Sequence, residues 1–167
     1  MDSNSSEALR ELIAGDLRTA AAFWEVGALS SSLLPAIAAD ALERGQESPW
    51  IIRLGALEGD DPDVANFFRS SVDEDDEIFE PRDASALIAG DCIVEAILAN
   101  KIDPVDGARM LSRLALEAPE DLVDLFGPFR YAASEIDERP EDHEFFIRAI
   151  MRAAEGWRES RAVRQKR

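Results

Sequence analysis

The sequence predicts an all-α protein, a single-domain compact multi-helix bundle of about eight or nine helices joined by short loops. Three observations carry that expectation. Helix starts of the Ser-Pro, Asp-Pro and Glu-Pro kind recur along the chain, and glycines stand where helices should stop. Alternating β-branched and aromatic runs bounded by turn residues, the mark of strands, do not occur. Ala and Leu, both strong helix formers, dominate the apolar set.

Each element follows from its own punctuation. Leu9, Leu12 and Ile13 lie at helical spacing between about Ser5 and Ala14, with Gly15 as the stop. Asp16 can cap a second helix through Phe23, Trp24 and Val26, and Ser31 or Ser32 a third that contains Pro35 and stops at Gly45. Ser48-Pro49 opens a short fourth helix through Ile51, Ile52 and Leu54. Asp61-Pro62 introduces a fifth, in which Val64, Phe67 and Phe68 form one stripe. Glu80-Pro81 starts the long apolar segment DASALIAGDCIVEAILAN, Asp103-Pro104 the next helix and Pro119 the one after. Gly127-Pro128 is expected to break or bend that helix, since an internal proline lacks a donor and crowds the preceding turn. Pro140 precedes a final helix whose core stripe is Phe146, Ala149, Ile150, Ala153 and Trp157.

The elbow ILANKIDPVDGARMLSRL, Ile97 to Leu114, is the densest punctuation in the chain. Asn100 tolerates left-handed backbone, and Lys101 places a cation at a helix C-terminus. Asp103 is an N-cap, Pro104 fits the first helical position and Asp106 adds a carboxylate to the first turn. Gly107 shares a stripe with Leu111 and Leu114. It weakens the helix by about 1 kcal/mol relative to alanine, so close backbone approach by the preceding helix is the expected compensation.

Charge is the strongest compositional fact. The 167 residues hold 35 Asp and Glu against 18 Lys and Arg, a net −17. The last ten, RESRAVRQKR, hold five basic groups and one acid, so residues 1–157 carry −21 once that +4 is removed. The domain is accordingly expected over 1–157, with 158–167 a basic tail or frayed helix end. A body this acidic repels nucleic-acid phosphate and anionic lipid and attracts basic proteins, although solubility alone also favours such charge. No apolar run approaches the roughly 18 residues of a membrane span. The polar, acidic start MDSNSSEALREL and the single Cys92 lead to the expectation of a reducing cytoplasm.

Few residues offer chemistry. His143, the one histidine, opens the last helix between acids and is expected in solvent; Cys92 is expected to pack in an apolar segment. GDDPD lacks the lysine of a phosphate loop, and no cofactor or metal is expected. The run Asp73, Glu74, Asp75, Asp76 and Glu77 lacks the ligand spacing and glycine of an EF-hand. It is either an acidic connector or, with Phe79 as an apolar anchor, a surface for a basic protein. Asp91 and Glu95 lie four residues apart on one helix face, about 40° from each other, with Ala86, Gly90, Ile93 and Ile97 on the opposite arc. Burying that arc exposes both acids; a buried pair would instead be an acid/base site. The pentapeptide LIAGD occurs at 12–16 and 87–91, ending a helix in the first copy and lying within one in the second, with little matching beyond it.

The elbow sequence, followed by an acidic helix and LFGPF, resembles a group of uncharacterised bacterial all-helical proteins. These carry an A-x-x-I-L-x-G-x-I-x-P-x-x-G-A core and then a Leu/Phe-rich helix. WIIRLGALEGDDPDVANFF is similar to their upstream segment, and Asn100 replaces their usual glycine. The resemblance spans about residues 50 to 150 and implies kinship with small acidic immunity proteins encoded beside bacterial toxins. The expected function is thus a non-enzymatic protein-binding module that masks a basic partner such as a toxin domain. Two alternatives are a small helical enzyme or ligand sensor using Asp91 and Glu95, and a helical-repeat scaffold.

Overall fold

Three helices begin on caps that the sequence names. In the computed structural model, Asp16 accepts from the Arg18 and Thr19 amides at 3.0 and 3.3 Å and opens a helix at Leu17. Ser48 accepts from Ile51 at 3.4 Å ahead of Pro49, and Asp103 from Val105 and Asp106 at 2.9 and 3.3 Å ahead of Pro104. Each cap satisfies amides that have no carbonyl partner in a first turn.

The structure describes residues 3–73, 81–118 and 120–164. Among them it contains nine α-helices and no strand, so the chain is all-α. The chain divides into two compact units, residues 1–85 and 86–167.

The first unit contains α1 (Ser3–Ile13), α2 (Leu17–Glu25), α3 (Leu34–Glu43), α4 (Pro49–Gly55) and α5 (Val64–Asp73). Leu9, Phe23, Leu34, Ile37, Leu54 and Phe68 are fully buried and form its core. Val64 and Phe68 hold the inner side of α5, while Phe67 is half-buried beneath the Arg53 guanidinium, 5.0 Å from its ring centroid. The third helix starts differently from expectation. Ser30, not Ser31 or Ser32, supplies the capping side chain, accepting from Ser32, because a 3₁₀ turn over Ser31–Leu33 precedes α3. The turn between α1 and α2 meets α3 closely: a Cβ on Gly15, whose φ is +74°, would lie 2.8 Å from the Ala41 nitrogen. Beside it Arg10 forks onto Asp40, with Nε to Oδ2 at 2.7 Å and Nη2 to Oδ1 at 2.5 Å.

Most of α6 (Arg82–Leu98) lies in the second unit, with α7 (Pro104–Glu117), α8 (Val123–Glu138) and α9 (His143–Arg164). The α6 arc predicted to be inside is inside: Ala86, Gly90, Ile93 and Ile97 are all buried. Asn100 takes φ +53° at the elbow, as its residue type allows. Gly107 is buried, but the close neighbour is not backbone. A Cβ there would lie 2.6 Å from Cγ1 and Cδ1 of Ile97 and 3.0 Å from Cδ1 of Ile102, so two isoleucine side chains fill the space that glycine leaves. Of the break or bend expected at Gly127-Pro128, no break occurs: α8 runs continuously from Val123 to Glu138 with Pro128 inside it. Pro128 stands in the second turn with its ring exposed, and the carbonyl it leaves without an amide is that of Asp124, an exposed first-turn residue that water can serve. α9 runs from His143 to Arg164 and so takes in most of the basic segment expected as a tail or helix end.

Candidate functional site

Asp91 and Glu95 share a face of α6, yet they meet different surroundings. Glu95 is exposed, as expected, and makes no ion pair among the described residues. Asp91 corrects the expectation: it is half-buried against α9. Its Oδ1 accepts the Trp157 indole N–H at 2.7 Å and Arg161 Nε at 2.9 Å. Its Oδ2 accepts Arg161 Nε at 2.9 Å and Nη2 at 2.7 Å. Both oxygens are engaged by donors, which suits an anchor rather than a base awaiting substrate. The cause is tertiary. Trp157 and Arg161, four residues apart on α9, reach α6 together. The indole can come that close because residue 90 is glycine, where a Cβ would lie 2.6 Å from the ring. Phe126 and Phe129 hold the buried Trp157 ring edge-on, with centroids 5.0 and 6.2 Å away.

The acidic run falls largely outside the described residues. Asp73 ends α5, while Glu74, Asp75, Asp76, Glu77 and Phe79 lie outside them. His143 stands exposed at the start of α9, and Cys92 is half-buried on α6. Among the described residues no group of three or more His, Cys, Asp or Glu could hold a metal ion, and no helix is long and apolar enough to cross a membrane.

A second feature of this unit was not anticipated. Tyr131 on α8 and Phe145 on α9 are 57% and 51% exposed, and both edge onto the buried Phe146, at 6.4 and 5.4 Å between centroids. Arg139 lies over the Phe146 ring at 5.7 Å and forms ion pairs with Asp142 and, at 3.7 Å, Glu135. The Asp142 contact holds the Arg139 guanidinium above its usual range. Arg148, one turn beyond Glu144, pairs with it at 3.5 Å. Residues 131–148 hold six acids and two arginines, and both arginines are already paired. Glu138 and Glu141 are exposed and make no ion pair among the described residues.

No protein-family model, curated protein or solved structure matches this chain.

Helical period could have located the aromatic pair. Phe126, Phe129, Ala132 and Ile136 define the inner side of α8, from which Tyr131 is turned by about 150°. Phe145 precedes the Phe146–Ile150–Trp157 stripe by one residue, hence about 100° off it. Aromatic rings with polar tips or edges in water are enriched at protein interfaces.

Proposed function

We propose that the protein is an acidic, non-enzymatic binding module that masks a basic protein partner, in the manner of an immunity or inhibitor protein for a toxin domain. The observation that carries this reading is the exposed pair Tyr131 and Phe145, set on a chain of net charge −17. Long-range attraction from the acidic surface speeds encounter with a basic partner, and aromatic contact slows departure. The geometry of Asp91 supports the same reading over the enzymatic alternative, because its carboxylate joins two helices and Glu95 stands apart in solvent.

The test is affinity capture of the purified product of the adjacent gene, at about 50 mM and about 300 mM salt, where screening shortens electrostatic reach from roughly 14 to 6 Å. Capture that weakens as salt rises supports the proposal; no capture at the lower salt counts against it.

A further inference from the structure

We infer that the Tyr131–Phe145 face is the docking surface for a cationic amphipathic segment of the partner, one that places an apolar side chain on the two rings and Lys or Arg beside Glu138 and Glu141. This rests on the binding-module reading and specifies where and with what chemistry it acts. Charge decides the occupant. The two arginines within 131–148 are already paired to Glu135, Asp142 and Glu144, while Glu138 and Glu141 present unpaired carboxylates among the described residues. Tyr131, Ser134, Glu135 and Glu138 recur at three- and four-residue intervals, so one side of α8 presents the ring and two acids together.

A second copy of the chain is a poor occupant. A two-fold contact through this face would set Glu138 and Glu141 of one copy against the acids of the other, with no arginine within 131–148 left to offset them. A nucleic acid or an anionic membrane meets the same repulsion. A segment with positive charge alone would leave both rings in water, whereas interface cores favour aromatic anchors that lose water on contact.

The experiment uses the full chain and two fluorescein-labelled peptides of 14 residues, an amphipathic helix of leucine and lysine and an all-lysine control. Fluorescence anisotropy reads binding at low and moderate salt. The leucine–lysine helix is expected to bind more tightly than the control. Tyr131→Ala with Phe145→Ala should weaken it by about 10-fold or more, as loss of central aromatic anchors does, while leaving the control unchanged. Glu138→Lys with Glu141→Lys should weaken both peptides and flatten the salt dependence; these exposed substitutions also serve if the aromatic variant proves unstable. Binding unchanged in both variants overturns this surface while leaving the module reading intact. Failure of the unmodified protein to bind either peptide overturns this surface, while the binding-module reading stands or falls on capture of the adjacent gene's product. A dimer that the aromatic substitutions dissociate, seen by sedimentation, assigns the face to a second copy instead.

Discussion

The indole of Trp157 occupies the space that a Cβ on Gly90 would need, 2.6 Å from it. Gly90→Ala therefore sets helix propensity against packing. Alanine favours the helix by up to about 1 kcal/mol, while overpacking a filled core costs about 1–3 kcal/mol. The ring cannot yield easily, since Phe126 and Phe129 press on it. The expected outcome is net destabilisation of about 1–2 kcal/mol, read as a lower urea midpoint with an unchanged slope.

The contact between Asp91 and Arg161 is worth more than a surface ion pair because it is a fork, half-buried and shared with an indole donor. A double-mutant cycle with Asp91→Ala and Arg161→Ala should give a coupling of about 1–2 kcal/mol. Arg109 and Asp137, 2.6 Å apart but exposed, should couple by less than about 1 kcal/mol. Equal couplings would show that burial and the indole bond add nothing.

The fork from Arg10 holds the Asp40 carboxyl below its usual range. A carboxylate whose folded value is depressed stabilises the fold above its unfolded value, about pH 3.9, and loses that contribution as the pH falls through the lower folded value. Asp40→Asn should cost about 1 kcal/mol at pH 7, and the difference from the parent protein should vanish on acidification below about pH 4. Urea midpoints of both proteins between pH 7 and pH 2 provide the measurement. A gap that persists at the acid end refutes the linkage.

Asp103 caps α7 through two amides, so Asp103→Ala should cost about 1 kcal/mol, and Asp103→Ser or Asp103→Asn should restore most of it. Thermal melts of the three variants check the order. Restoration by serine would separate capping from any effect of the lost charge.

Gly107 offers a contrast with Gly90. Its crowding neighbours are Cγ1 and Cδ1 of the buried Ile97 and Cδ1 of Ile102, slender aliphatic branches, whereas Gly90 faces a broad indole that two further rings contact. Gly107→Ala should therefore destabilise by less than Gly90→Ala, under about 1 kcal/mol after the gain in helix propensity. Parallel urea titrations compare the two.

Local chemistry was legible in the sequence because it acts over one turn. The caps at Asp16, Ser48 and Asp103, the left-handed Asn100, the buried arc of α6 and the Phe146, Ile150 and Trp157 positions of α9 all depend on neighbours within about four residues. Ala149 and Ala153, expected on that stripe, are half-buried, and Ala154 is buried in their place. Where the local reading slipped, at Ser30 and Pro128, a 3₁₀ turn or exposure to water supplied what the chain pattern did not reveal. The aromatic pair was readable in principle from the 3.6-residue period, since one ring of Phe145-Phe146 must face away from the core.

Residue order alone set the helices, most of their limits and the acidity of the whole chain. That Asp91 is an anchor and Glu95 is not came from helix packing, because the partners Trp157 and Arg161 lie 66 and 70 residues away. Two carboxylates on one helix face are equivalent until another helix is laid beside them. Which helix arrives, and with which side chains, is set by how the apolar stripes of the whole unit pack together. The same holds for LIAGD. Its first glycine turns the chain onto α3, and its second admits a tryptophan, so identical residues serve different neighbours.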